Sequence, residues 1–474
     1  MTFVGREREL ATLAAQLDTV RSGRRADPGV AVAIRGRRRI GKSRLVDELT
    51  RRAGVPFVYF QAARNAPVRD ELSTFASSVA TSTLPNAAVA AGNTPQSLTA
   101  ALTLLDAALD DRPAIVVIDE LPWLLEQIRG GAGELQRVWD TRLSKKPVLL
   151  LLLGSDLAMM EQLMTADQPF YGRATELVLG PLTPADIATM VGADAMGAFD
   201  AFLVTGGLPL VAQEWDHGES LTSFLERSFT SSTSALVVSG GRALDAEFPE
   251  ASISRRVLSA IGGKGERTFT AIQNDSGSEP MNASTLTATL RALTDKRIVA
   301  ADEPLSPRPA AKNRRYRIDD PALRFWLAFV EPALGEVDRA RPDLALARVE
   351  RSFTSWRKRA VEPVVRDSLE RLLPDATWPQ VAKVGGWWPR TNTPEIDLVG
   401  ATRQHDVQFA GSIKWRDSPL TARDVTALST DATSIPGVGA GTPLVAVCPG
   451  GADPGARQGL AQVWDARDLL AAWA

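Results

Sequence analysis

The densest chemistry in the chain lies in Gly36-Arg37-Arg38-Arg39-Ile40-Gly41-Lys42-Ser43. The spacing is G-x-x-x-x-G-K-[ST], in which glycines let the backbone curl until successive N–H groups face phosphate oxygens. Lys42 can reach the β- and γ-phosphates of a nucleoside triphosphate, and the Ser43 hydroxyl can ligate magnesium. Every residue from Gly36 through Arg37, Arg38, Arg39, Ile40, Gly41, Lys42 and Ser43 to Arg44 is therefore expected at a nucleotide, with ATP and Mg2+ as cofactors. Arg37, Arg38 and Arg39 raise the local potential, but some must face solvent and none is expected to be catalytic.

A second acidic signal follows. Ala114-Ile115-Val116-Val117-Ile118 is apolar and ends in Asp119-Glu120. A carboxylate at such a strand tip can share magnesium with Ser43, and the adjoining Glu120 can polarise a water for attack on the γ-phosphate. Ser155 and Asp156 follow the next apolar run, where a polar group can orient that water or can be an ordinary loop residue. Arg173, in Phe170-Tyr171-Gly172-Arg173, is a catalytic candidate for stabilising γ-phosphate charge, in cis or from a neighbouring subunit; the alternative is a surface arginine.

These residues need a scaffold. Val30–Ile34, Pro56–Phe60, Ala114–Ile118, Val148–Leu153 and Glu176–Leu179 are short apolar runs separated by helical patterns, such as Ser43 to Arg52 stopping at Gly54. That alternation predicts an α/β fold with a parallel sheet covered on both faces. At 474 residues the chain exceeds one core, and several domains are expected. A hydrophobic fraction of 44% and a net charge of −2 describe a folded chain without a global bias toward nucleic acid or anionic membranes. The single cysteine, Cys448, excludes an internal disulfide and a cysteine-rich zinc site, and reads as a buried thiol on a strand. His217 and His405 are isolated, and the eleven tryptophans read as core or interface residues. No run is long enough to span a bilayer and the start lacks a secretory pattern, so the expected location is cytoplasmic, without a membrane partner.

An ordered set of motifs carries a family resemblance: Phe3-Val4-Gly5-Arg6-Glu7, the Gly36–Ser43 loop, Ile118-Asp119-Glu120-Leu121-Pro122-Trp123-Leu124, Gly154-Ser155, Phe170-Tyr171-Gly172-Arg173 and Gly206-Gly207-Leu208-Pro209. Together they resemble the archaeal-type ATPases of the STAND class, AAA+-related P-loop NTPases, over roughly the first half of the chain. The resemblance implies a P-loop NTPase core (1–182) with an extra strand between the loop strand and the Asp-Glu strand, then a helical lid (183–245). It also implies that Arg6 lies near the base and Pro209 touches the nucleotide, and it suggests ligand-dependent self-association with an unknown protein trigger. One departure is Ser155-Asp156, where many such proteins carry an arginine.

Residues 246–335 read as helix, helix, longer helix and basic hairpin, the pattern of a winged helix-turn-helix. Lys312, Arg314, Arg315 and Arg317 could pair with DNA phosphates, and the face of Thr285, Thr287 and Thr289 could meet a groove; such units also serve as interdomain elements. Residues 336–474 resemble the restriction-endonuclease-like PD-(D/E)XK nuclease fold, with Glu362 on a helix, Asp397 on a strand and Lys414 in Ser412-Ile413-Lys414. Ser412 stands where an active member has a magnesium-holding glutamate. Glu395, two residues from Asp397, could substitute if both share one strand face. The loss of that charge favours a degenerate fold that no longer cleaves. The reading is an ATP-hydrolysing switch; the alternatives are a slow or non-hydrolysing ATP-bound DNA-binding regulator and an ATP-gated nuclease.

Overall fold

The computed structural model describes residues 3–155, 157–247, 252–275, 280–307, 313–439 and 441–474. It divides into two compact units, Met1–Pro181 and Leu182–Ala474.

In the first unit five parallel strands form one sheet: β1 (Val30–Arg35), β2 (Phe57–Gln61), β3 (Ala114–Asp119), β4 (Val148–Gly154) and β5 (Ala174–Val178). Their order is β2-β3-β4-β1-β5, so β4 lies between β1 and β3. Val30 pairs with Leu149 and Ile34 with Leu153 on one side of β4, while Ile118 pairs with Leu152 on the other. Every residue of β3 and β4 is buried, as their unbroken apolar runs require when helices cover both faces. Helix α1 (Glu7–Ser22) and helix α2 (Lys42–Ala53) supply Leu13, Leu17, Leu45 and Val46 to that packing. The helix Leu98–Ala108, capped by the Ser97 hydroxyl on Ala100 N–H, buries Leu98, Ala101, Leu102 and Leu105 at helical spacing. The edge strand β5 starts and ends earlier than its apolar run suggests. Its pairing with β1 through Ala174 and Val178 sets its limits, while Leu179 is buried beyond it.

The second unit begins with helices Pro184–Val191, Ala195–Thr205, Pro209–Ala212, Leu221–Thr230 and Ala235–Glu247. Helices Ser252–Ile261, Phe269–Asp275 and Ala283–Asp295 follow, with β6 (Arg267–Thr268), β7 (Val299–Asp302) and β8 (Arg315–Ile318) in an antiparallel sheet of order β6-β8-β7. Helices Pro342–Ala360 and Glu362–Leu372 lead to a second five-stranded sheet, β13-β12-β11-β10-β9. There β9 (Lys383–Trp387), β10 (Ile396–Ala401) and β11 (Val407–Ile413) run antiparallel, and β12 (Leu444–Val447) and β13 (Gln462–Trp464) continue parallel. One hydrophobic core runs through this unit, from Phe199 and Leu258 through Leu290, Phe325 and Trp356 to Phe409 and Trp415. Segments that read as lid, middle and C-terminal parts thus share their packing. Cys448 lies one residue beyond β12, fully buried, and burial pushes its thiol up. No single helix among the described residues is long and apolar enough to cross a membrane.

Candidate nucleotide site

Because β4 separates β1 from β3, the C-terminal ends of three strands lie side by side and the loops leaving them form one crevice. From β1 the chain turns through the Gly36–Ser43 loop into α2. Gly36 must be glycine, since a Cβ there would stand 2.6 Å from the Leu179 carbonyl oxygen. Gly41, just before α2, sits at φ 99, a backbone region that side chains disfavour. Arg39 occupies the left-handed region as well, at φ 64.

The Lys42 ammonium is buried and donates to the carbonyls of Gly36 (2.7 Å) and Arg37 (3.2 Å) and to Ser155 Oγ (2.9 Å). Burial draws its pKa down to about 8, and Arg38 adds repulsion, while Glu120 and Asp119 pull the other way. A bound polyphosphate would reverse that shift by placing fixed negative charge beside the amine.

At the tip of β3, Asp119 Oδ2 accepts from Ser43 Oγ at 3.0 Å and from the Tyr59 hydroxyl, while its Oδ1 accepts from Glu120 N–H at 2.9 Å. Serine hydroxyl and carboxylate therefore converge as a magnesium pair needs to. Tyr59 comes from β2, which is hydrogen-bonded to β3 with Tyr59 opposite Val117. The phenol is pushed well above its usual range, mostly by burial and then by the Asp119 carboxylate that it donates to. Sequence reading did not single out Tyr59, because its role depends on which strand lies beside β3.

Glu120 is held at φ 54 and ψ 39, unusual for a side-chain-bearing residue, and strain of this kind concentrates at functional sites. Its carboxylate accepts from Ser155 Oγ at 2.5 Å and from Ser155 N–H at 3.1 Å. Ser155 thus links Lys42 to Glu120. Asp156 lies outside the described residues.

Residues 2–137 match the AAA ATPase domain. That likeness supports an ATP-binding ATPase. Residues 326–428 match a family described as archaeal and bacterial proteins of unknown function. An uncharacterized protein of Methanocaldococcus jannaschii is 25% identical over 438 residues, covering 90% of both chains. Among solved structures, the Walker-type ATPase of Pyrococcus abyssi is similar at 18% identity and a TM-score of 0.46, covering 69% of this chain and 96% of that one. The ORC2 protein of Aeropyrum pernix, solved with ADPNP and ADP, is 17% identical over 73% of this chain and 96% of its own, also with a TM-score of 0.46.

The remaining expected residues are placed as follows. Arg6, buried at φ 66, donates to the carbonyls of Ile40 (3.1 Å) and Gly180 (2.6 Å), tying the N-terminal segment to the phosphate loop. The Arg38 guanidinium lies 5.5 Å from the Trp123 ring centre. Arg173 makes a two-pronged ion pair with Asp140, 2.8 Å on each prong, and donates to the carbonyls of Pro169 and Tyr171. Pro209, in the second unit, opens a short helix after Gly206 and Gly207, both with positive φ.

The acids expected at a nuclease centre keep different company. Glu362, on its helix, accepts from Arg366 at 3.2 Å, and burial pushes its carboxyl up to about 8. Asp397 Oδ2 accepts from Ile413 N–H at 2.8 Å, its backbone carbonyl accepts from Arg366 at 3.0 Å, and burial raises its pKa. Lys414, just beyond β11, offsets part of that rise. Glu395 departs from the expected strand pairing. It precedes β10, whose register with β9 slips between Ile396 and Val399, and its carboxylate is taken by Arg315 at 2.5 Å, with Arg359 at 3.6 Å. Among the described residues no three acids, histidines or cysteines converge as a metal shell.

In the basic hairpin the described arginines meet carboxylates of the chain itself. Arg314 pairs with Glu303, Arg315 with Glu266 and Glu395, and Arg317 with Asp302 and Asp319. Arg315 also lies 4.2 Å over the Trp388 ring, buried rather than presented to phosphates. Lys312 falls outside the described residues.

Proposed function

We propose that the chain is an ATP-hydrolysing molecular switch. Lys42 holds the β- and γ-phosphates, Ser43 and Asp119 hold magnesium, and Glu120 takes the proton of the attacking water. The observation that carries this reading is the convergence of Lys42, Ser43, Asp119, Glu120 and Ser155 at three adjacent strand ends. Magnesium, when bound, supplies charge neutralisation for the β- and γ-oxygens. The chain's own residues do the rest. The loop amides and Lys42 orient the phosphates, Tyr59 and Ser43 fix the Asp119 carboxylate, and Ser155 sets the direction of Glu120.

A second reading, a slow or arrested ATP-bound regulator, draws support from one specific feature. Glu120 Oε1 accepts from the Ser155 hydroxyl and Oε2 from the Ser155 backbone N–H, so Oε1 is free for a water only after the hydroxyl turns away. Steady-state phosphate release separates the two. Turnover by the wild type and its loss in Lys42→Ala and Glu120→Gln supports the enzyme, whereas binding without release supports the regulator.

In the second unit the same logic favours a nuclease-like fold retained for packing, because arginines occupy Glu362 and Glu395 and the Asp397 carboxylate accepts from the Ile413 N–H. Among the described residues, the face of Ser284, Thr287 and Arg291 on Ala283–Asp295, which borders an open concavity, is the stronger candidate for DNA contact, since Arg314, Arg315 and Arg317 are committed to carboxylates. Adding duplex DNA to the turnover assay tests that contact: stimulation assigns it, and an unchanged rate with no binding removes it.

A further inference from the structure

Arg38 lies within the Gly36–Ser43 loop, and its side chain is exposed. Its guanidinium rests over the Trp123 ring, 5.5 Å from the ring centre, and among the described residues no carboxylate pairs with it. Other arginines of this unit are tied down: Arg35 pairs with Glu161 and Glu176, and Arg173 with Asp140. The charge of Arg38 is nevertheless felt inside the site. It repels the Lys42 ammonium, the group proposed to hold the β- and γ-phosphates. An anion drawn to Lys42 therefore lies in the field of Arg38 as well.

The ring under this charge is fixed where the arginine is not. Trp123 is half-buried in the helix Leu121–Gln127, and its backbone N–H donates to the Glu120 carbonyl at 3.0 Å. Gln127 braces the same turn, donating to the Trp123 carbonyl at 3.0 Å and to the Ala63 carbonyl at 3.3 Å. Arg38 thus rests on the Glu120 side of the loop. The terminal phosphate must lie on that side if Glu120 activates the water that attacks it. A cation over an exposed ring is held weakly. A phosphate matches the guanidinium fork with two oxygens and brings full opposite charge, so it outcompetes the ring.

We propose that Arg38 determines specificity for the triphosphate: with ATP bound its guanidinium leaves Trp123 and pairs with the γ-phosphate, and with ADP bound it stays on the ring. This rests on the reading of Gly36–Ser43 as an ATP site and names the residue that tells the two nucleotides apart. The same exchange uncovers Trp123, three residues from Glu120, only when the triphosphate is present.

The test is calorimetric titration of a non-hydrolysable ATP analogue, and separately of ADP, into the full-length chain with magnesium present, so that binding is read without turnover. Arg38→Ala is expected to weaken the analogue about tenfold, the size of a lost charged hydrogen bond, and to leave ADP unchanged. Arg38→Lys, with the charge but not the fork, should fall between. Trp123→Leu keeps an apolar side chain but removes the competing ring, and should tighten the analogue about threefold without affecting ADP. Lys42→Ala is the control and should lose affinity for both. Melting of the Arg38 variants without nucleotide should match the wild type. Equal weakening of both nucleotides by Arg38→Ala, or no effect on either, overturns the proposal and leaves the ATP site standing. Unchanged or weaker analogue binding by Trp123→Leu overturns it as well. Binding of neither nucleotide by the wild type overturns the ATP site itself, and the proposal with it.

Discussion

Two groups of carboxylates in this chain began as candidates for metal chemistry, and the side chains around them have led them to opposite ends. Asp119 and Glu120, at the tip of β3, are met by hydroxyls and a lysine: Ser43, Tyr59, Ser155 and, through Ser155, Lys42. Hydroxyls and amines can turn or be displaced when a cation and a polyphosphate arrive. Glu362 and Glu395 are met by guanidinium groups from Arg366, Arg315 and Arg359, which bring permanent charge and fixed forks, and the Asp397 carboxylate is met by the Ile413 N–H. A divalent ion would have to displace arginines that also hold the middle segment against the sheet of β9–β13. The same acids are thus poised in one region and sealed in the other.

The largest effect that could break this comparison is on turnover. Lys42→Ala and Glu120→Gln should each lower steady-state phosphate release by about 100-fold or more, the size expected for loss of a phosphate clamp or a general base. Retained turnover in Glu120→Gln would place the base elsewhere. The next is on stability. Arg315→Ala leaves buried Glu266 with only the longer 3.8 Å contact to Arg366, and should lower the unfolding free energy of the second unit by about 3–5 kcal/mol in urea titrations.

Magnesium separates the regions directly. Mg-ATP at about 100 times its Kd should stabilise the first unit by about 2.7 kcal/mol in thermal melts, and chelation should remove that gain. The second unit should melt unchanged with or without the metal.

The sealed acids also predict a pH dependence. Glu362 has a folded pKa of about 8, above its ordinary value of 4.5, so the folded state holds the proton more tightly than the unfolded chain. Its contribution is complete below about pH 4.5 and is lost as the pH rises toward 8. Glu362→Gln should flatten that decline, read from melting temperatures across this window. The smallest stability effect belongs to Arg173→Ala. Its pair with Asp140 is partly exposed, and its loss should cost less than about 1 kcal/mol. A large fall in turnover with that small change in stability would instead assign Arg173 to the reaction.

What was legible in the sequence follows from how local each signal is. The strands of the first unit announce themselves because burial on both faces demands unbroken apolar runs, and the Gly36–Ser43 loop because close backbone curvature demands glycine at fixed spacing. The contacts of Tyr59 with Asp119 and of Ser155 with Lys42 depend on strand order, which no local pattern encodes. The hairpin arginines read as phosphate ligands because charge is visible in a sequence and its partner is not; Glu266 and Glu395 lie far along the chain from Arg315. The conditional role of Glu395 turns on a related point: the two-residue alternation applies only within a strand, and β10 starts at Ile396.

The contact between Tyr59 and Asp119 has a practical consequence. The chain holds only three tyrosines, and this one donates its phenolic proton to the carboxylate proposed to hold the cation. A metal arriving at that oxygen should loosen or redirect the phenol, changing its near-ultraviolet absorption and emission. The protein would then carry its own optical gauge of cation occupancy, readable without a label, with Tyr59→Phe as the blank.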